Sequence, residues 1–421
     1  MFSWLRGLCV FAAAVIGCHV TCSTAHAAVR YTLVNLGALG GTSSQPSNGL
    51  GINASGQVVG FANLTGDSLY HAFSYGSGHM TDLGTIGGGT FSASNAINDS
   101  GQVTGYSLTS SSDQHGFIYS NGKMTDLGTL GGSNSQGYAI NKNGQITGDS
   151  NTSMNAADHA FLYSGASLLD LGTLGGTNSS GAAINASGQV AGSSRITGNA
   201  GTHAFLYSGG KMADLGTLGG SYSTATAINT AGQVTGNAAT SGDAAYHAFI
   251  YSAGKMTDLG ALGGTNSYGV AINTGGQIAG YYKVSTYVQH GFLYSGGTMT
   301  DLGSLISGGN SAAAAINTQG QVVGDADSGV TNGLGIPIPH ACLYSGGTLV
   351  DLNTLIAPGS GLTLLEAYGI NDNGDIYGQG GSSTGTTGDA FELIPISVPE
   401  PASLGLFVIL ASGLLRPRRN R

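Results

Sequence analysis

One unit fills almost the whole chain and returns every 43 to 50 residues. It opens on His71, His115, His159, His203, His247, His290 and His340, and in altered form on Asp389, at steps of 44, 44, 44, 44, 43, 50 and 49 residues. The copy at His203 runs His203-Ala204-Phe205-Leu206-Tyr207-Ser208-Gly209-Gly210-Lys211-Met212-Ala213-Asp214-Leu215-Gly216-Thr217-Leu218-Gly219-Gly220. A period of this length marks a repeat architecture, in which each copy is a supersecondary unit that buries its apolar face only against its neighbours.

Each unit divides into four strand-like pieces, a to d. In the fourth copy these are 180–185, 188–192, 203–208 and 211–215. Between a and b every copy reads Asn-x-x-Gly, from Asn53 through Asn98, Asn141, Asn185, Asn229, Asn273 and Asn317 to Asn371. Asn opens a type I turn by bonding its own backbone, and Gly supplies the positive φ at its exit. Between c and d lie pairs such as Asn121-Gly122 and Gly209-Gly210, the strongest short hairpin signal. Eight Asn-x-x-Gly turns predict an all-β fold, a β-propeller of about eight four-stranded blades, with a β-solenoid as the alternative. The first strand, 31–37, reads as a d piece without a c, and the last, 389–393, as a c piece without a d. Their pairing would complete the eighth blade and leave no bare edge.

The two-residue turn sets the c–d register and makes His203 and Asp214 diagonal neighbours on one hairpin face, within reach of a hydrogen bond. The same spacing pairs His71 with Asp82, His115 with Asp126, His159 with Asp170, His247 with Asp258, His290 with Asp301 and His340 with Asp351. In the eighth unit Asp389 replaces His and Asn35 replaces Asp, a joint change that avoids placing two aspartates together. Seven copies of one pair point to structural locking. No metal site, cofactor or catalytic residue is expected among them.

Charged residues make up 8% of the chain, against about 25% in ordinary domains. Between Ala28 and Ser397 there are seven basic and twenty acidic residues, which argues against nucleic acid as a partner. Cys342 is the one cysteine of that stretch, so it forms no internal disulfide and is expected in the core.

Both ends carry addresses. Residues 1–27 read as a signal peptide: Arg6, an apolar run from Leu8 to Ile16, then Ala25-His26-Ala27 before a cut between Ala27 and Ala28. The rival is a lipobox, Val15-Ile16-Gly17-Cys18, with Cys18 lipidated. At the other end, 398–421 holds Pro399-Glu400-Pro401, an apolar run from Ala402 to Leu415, and an arginine cluster. The run is short against the ~20 residues of a full span, so an ordinary tail anchor is the alternative. This three-part tail resembles the PEP-CTERM sorting signal of Gram-negative bacteria. The resemblance implies recognition of Pro399, Glu400 and Pro401 by an exosortase, transient anchoring in the membrane, and a cell-surface or extracellular destination after signal peptidase has acted.

The body between them, 28–397, carries His-Ala-Phe-x-Tyr, Met-x-Asp-Leu-Gly-x-Leu-Gly-Gly and Ala-Ile-Asn-x-x-Gly-Gln-Val pieces, and resembles the extracellular HAF-repeat family. Departures are Gly116 and Gly291 for Ala, Cys342 for Phe and Asp389 for His. The resemblance implies an exported repeat protein and brings no activity. No Gly-x-Ser-x-Gly elbow, phosphate loop or His-Glu-x-x-His stretch is present. The expected function is a non-enzymatic surface or matrix protein, binding exopolysaccharide or protein through one face; the alternative is a secreted, glycosidase-like hydrolase on a propeller. The two longest connections, after Gly324 and after Asp351, mark Asp325, Asp327, Asn332 and Glu366 as candidate ligand-loop residues.

Overall fold

The c–d turns dictate the local geometry. Gly209 and Gly210 both take positive φ, 58° and 81°, and the strands Thr202–Ser208 and Lys211–Asp214 pair with Phe205 opposite Asp214 and Ser208 opposite Lys211. Strands a and b precede them in the same sheet, as Gly175–Ile184 and Val190–Ile196. The computed structural model describes residues 30–47, 51–381 and 387–396, and this a-b-c-d order recurs through them.

Blades I to VIII begin at strands Gly40–Pro46, Ser92–Ile97, Gly131–Ile140, Gly175–Ile184, Gly219–Ile228, Ser267–Ile272, Ser311–Ile316 and Thr363–Ile370. Six are separate four-stranded sheets, and IV and V are joined into one eight-stranded sheet by a single parallel bridge, Thr202 to Tyr222. The fold is a β-propeller. A solenoid would run parallel strands from copy to copy; here each copy keeps its own antiparallel sheet.

Blade VIII takes its fourth strand from the start of the chain. Arg30–Asn35 pairs antiparallel with the last strand, Leu33 opposite Leu393 and Asn35 opposite Phe391. A second link runs through the a–b turns. Asn185 accepts Ser187 N and Gln189 N on Oδ1, and its Nδ2 donates to the carbonyl of Asn229 in the next blade at 3.1 Å. The same step leads from Asn53 to Asn98, Asn141, Asn185, Asn229, Asn273, Asn317 and Asn371. Asn371 then donates to the carbonyl of Asn53 at 3.0 Å, so the series returns to its start.

The core lies between blades. Phe73, Phe117, Phe161, Phe205, Phe249, Phe292 and Phe391 are fully buried, one per blade, with Cys342 in that place in blade VII. Each cluster draws on two successive blades: Ala191, Ala204 and Leu215 of IV meet Val234 and Phe249 of V. Burying one such ring stabilises by roughly 1.5–3 kcal/mol, and the small residues on the facing strands let the sheets approach. Strand a begins earlier than the sequence reading placed it, because Gly175 pairs with Ile196 before a bulge. Gly175 has φ 95° there, and a side chain on Gly176 would collide with Arg195.

Ala27, Ala28, Cys18, Pro399, Glu400 and Pro401 lie outside the described residues. Among the described residues no helix is long and apolar enough to cross a membrane.

Candidate functional site

Strand a is innermost. Asn141, Asn185, Asn229, Asn273, Asn317 and Asp372, from six blades, border one cavity of ≈ 310 Å³, which marks one mouth of a central channel. Facing inward are two residues of strand a, Ser180 and Ala182 in blade IV, and the residue after the Gly of strand b, which pairs with the first of these. That third position reads Phe61, Tyr106, Asp149, Ser193, Asn237, Tyr281, Asp325 and Gln379 around the ring. The frame repeats almost unchanged; this register differs from blade to blade, and no Lys, Arg or His occupies it.

The polar load gathers where blades VIII, I and II meet. Glu366, Tyr368 and Gln379 of VIII, Gln45, Ser47 and Phe61 of I, and Ser94, Asn95 and Tyr106 of II line a cavity of ≈ 360 Å³. Four buried side-chain polar atoms have no hydrogen-bond partner among the described residues; three of them, Ser47 Oγ, Ser94 Oγ and Gln379 Oε1, belong to this lining. A buried polar atom left unpaired costs about 1–3 kcal/mol, and two of these, Ser47 Oγ and Gln379 Oε1, belong to the inward register, which marks a place prepared for a polar ligand.

Asp325, on blade VII, is outside this lining but within the electrostatic reach of Glu366. Burial, reinforced by the negative charges of Glu366 and Asp327, pushes its carboxyl up to about 7. Tyr368 is bonded to Glu366, and its hydroxyl is raised by burial and by that carboxylate. Across the channel Asp149 accepts hydrogen bonds from Tyr138 and Ser180, both at 3.0 Å, and burial raises its carboxyl despite them.

The loop residues singled out from the sequence are thus redistributed. Residues 325–331 and 337–345 are not an irregular loop but a strand hairpin, Val322–Thr331 with Pro337–Ser345. The alternation of strand b carries on past Asp325, and Asp327 still pairs with Pro339. Asp325 and Glu366 lie on strands and come together at the channel. Asp327 accepts from Asn310 N and Nδ2. Asn332 sits apart at the hairpin tip, accepting the N–H groups of Leu334 and Ile336.

The His and Asp residues form seven pairs on the blades. Nδ1 donates to the carboxylate at 2.9 Å in His71–Asp82, His159–Asp170 and His247–Asp258, 2.8 Å in His115–Asp126 and His203–Asp214, 3.0 Å in His290–Asp301 and 2.7 Å in His340–Asp351. Asn35 Nδ2 donates to Asp389 at 2.9 Å in the eighth. The acid also accepts from the backbone two residues on, as Asp214 does from Gly216 N at 2.7 Å. Asn35 repeats this with Gly37 N, a duty the sequence reading missed. It lets Asn stand for Asp. Among the described residues no group of three or more His, Cys, Asp or Glu is placed to hold a metal.

No protein-family model and no curated protein matches the chain. Solved structures resemble it in fold. The β-propeller domain of the Trilobed protease from Pyrococcus furiosus is 10% identical, with a TM-score of 0.43 over 69% of this chain and 89% of its own. A Mycobacterium tuberculosis puromycin-hydrolyzing peptidase is 12% identical, with a TM-score of 0.47 over 77% and 56%. Porphyromonas gingivalis dipeptidyl peptidase 4 is 10% identical, with a TM-score of 0.48 over 84% and 59%. This chain spans little more than half the length of those two peptidases. The expectation of a non-enzymatic surface or matrix protein is corrected here. The three solved structures just named are described as a protease domain and two peptidases. At these values the likeness concerns the fold, and it assigns no substrate.

Proposed function

We propose that this chain is a hydrolase of the glycosidase type, acting at the cavity where blades VIII, I and II face the channel. The observation that carries this reading is the presence of two unpaired buried polar atoms, Ser47 Oγ and Gln379 Oε1, at inward positions of a cavity that also holds Glu366. Hydroxyl groups of a sugar would satisfy them, and Phe61 and Tyr106 supply apolar faces against which its C–H surface packs. Glycoside hydrolysis needs two carboxyl groups, one protonated to release the leaving oxygen and one to assist from the other side. Asp325, held protonated up to about neutrality, is the acid. Glu366 is its carboxylate partner, oriented by Tyr368.

The resemblances at the two ends support export, with a cut before Ala28 and exosortase handling of Pro399, Glu400 and Pro401. The repeat itself supports membership of the HAF-repeat family. Masses of the two mature termini test these cuts; a lipid on Cys18 overturns the cut before Ala28, an intact tail overturns exosortase handling, and an uncut N-terminus overturns export.

The activity is tested by screening the exported protein against neutral aryl glycosides and oligosaccharides. Turnover should fall as pH rises through about 7, because Asp325 then loses its proton. A rate that stays level across that range in all cleaved substrates overturns the assignment of Asp325.

A further inference from the structure

A second cavity, of ≈ 240 Å³, shares Gln45 and Phe61 with the channel cavity. The outer one is walled by Phe61, Tyr70 and Phe91, with ring centroids 5.8–6.1 Å apart. Tyr106 stacks behind Phe91 at 5.7 Å. The rim is polar: Ser43 Oγ donates to Asn63 Oδ1 at 2.7 Å.

The repeat shows that these rings are not part of the frame. At the place of Phe91 four other blades have Asn134, Asn178, Asn266 and Asn310. Asn134, Asn266 and Asn310 accept the N–H that starts the preceding blade's c strand, from Gln114, Tyr246 and Gln289. Blade II has an aromatic ring there, as blade V does with Tyr222 beside Tyr246; the ring of blade II stands beside Tyr70, itself 37% exposed, and lines a cavity with it. No lining residue of this outer cavity is charged. Half-exposed rings under a hydroxyl and amide rim complement an uncharged ligand with an apolar face and a hydroxylated edge.

We infer that this groove is a second sugar subsite, and that the ligand is a neutral oligosaccharide running from the channel cavity across Phe61 onto Tyr70 and Phe91. The inference rests on the hydrolase reading for the class of ligand, and its test is kept apart from turnover.

Calorimetric titration of the Glu366→Gln protein with neutral gluco-, manno- and xylo-oligosaccharides of one to six units is the experiment. Affinity should rise at least tenfold from one unit to three or more. Tyr70→Ala and Phe91→Asn should each remove about three- to tenfold of that gain. Phe91→Asn installs the residue that four other blades carry there and so keeps the fold. Tyr222→Ala, in an aromatic pair of blade V, should change nothing. Absence of binding, affinity independent of length, or indifference to both groove substitutions overturns the subsite. If length dependence holds while the wild-type protein cleaves none of these chains, the subsite stands and the hydrolase reading fails. If aryl monoglycosides are cleaved without length dependence, the subsite fails and the hydrolase reading stands.

Discussion

Blade IV has Ser180, Ala182 and Ser193 at the three inward positions where blade VIII has Glu366, Tyr368 and Gln379. Around those positions the blades share the Asn turn, the buried Phe and the small residues of strand a. One frame therefore supports a bare channel wall on one side and an acid-bearing wall on another. The frame is made of side chains that face neighbouring blades, so a change there is felt at two sheets. The inward register contributes little to the buried clusters, Tyr368 against that of blades VIII and I being an exception, and it differs from blade to blade, which is why chemistry can collect in one sector.

The contrast is sharpest for activity. Glu366→Gln should lower kcat by about 10²–10⁴-fold with an unchanged melting curve, while Ser180→Ala leaves kcat within about twofold. Equal losses would erase the distinction between the two walls.

A frame residue should behave in the opposite way. Phe205 is fully buried, so Phe205→Ala should cost about 3–5 kcal/mol in denaturant unfolding, with activity preserved below the new transition. A cost under about 1 kcal/mol would mean that the blades do not depend on this ring.

The seam between blades VIII and I is an exception within the frame. Glu392 stands where the other blades have Leu or Ile, apart from Ser74 in blade I, and Asp375 where they have Gln. Both are buried. Both carboxylates approach Gly56 of blade I, and Tyr75 faces Glu392 from the same side. Burial and then Asp375 raise the Glu392 carboxyl from 4.5 to about 7. A carboxyl whose folded pKa is raised contributes fully below its unfolded pKa and loses that contribution as pH rises through the folded one. Glu392→Leu should therefore stabilise little at pH 4 and by on the order of 1–3 kcal/mol above pH 7. Equal effects at pH 4 and pH 8 would remove the seam from the comparison.

The smallest effect is expected at the pair that is easiest to see in the sequence. His203 lies 17% exposed beside Asp214 at 42%, and half-exposed ion pairs contribute about 0.2–1 kcal/mol. His203→Ala should cost no more than that, with turnover unchanged. Loss of turnover would move the chemistry out of the channel and onto the blades.

What could be read from the sequence was what local geometry decides. The c–d register and the His–Asp contacts follow from two-residue turns, because a hairpin of that length leaves one register. Counting turns gave eight blades, and the paired change at Asn35 and Asp389 identified two strands 354 residues apart as partners. The amide series was hidden, since Asn185 meets an acceptor 44 residues away that only the angle between blades brings near. The channel site was hidden for a related reason. Alternation says that Glu366 and Asp325 point away from their own sheets, but not that strand a is innermost or that blades VII and VIII turn those faces toward one space. The chain by itself determined the repeated unit, its turns and its pairs. Tertiary structure decided which inward residues share a cavity, because that depends on how the eight sheets are set around the channel.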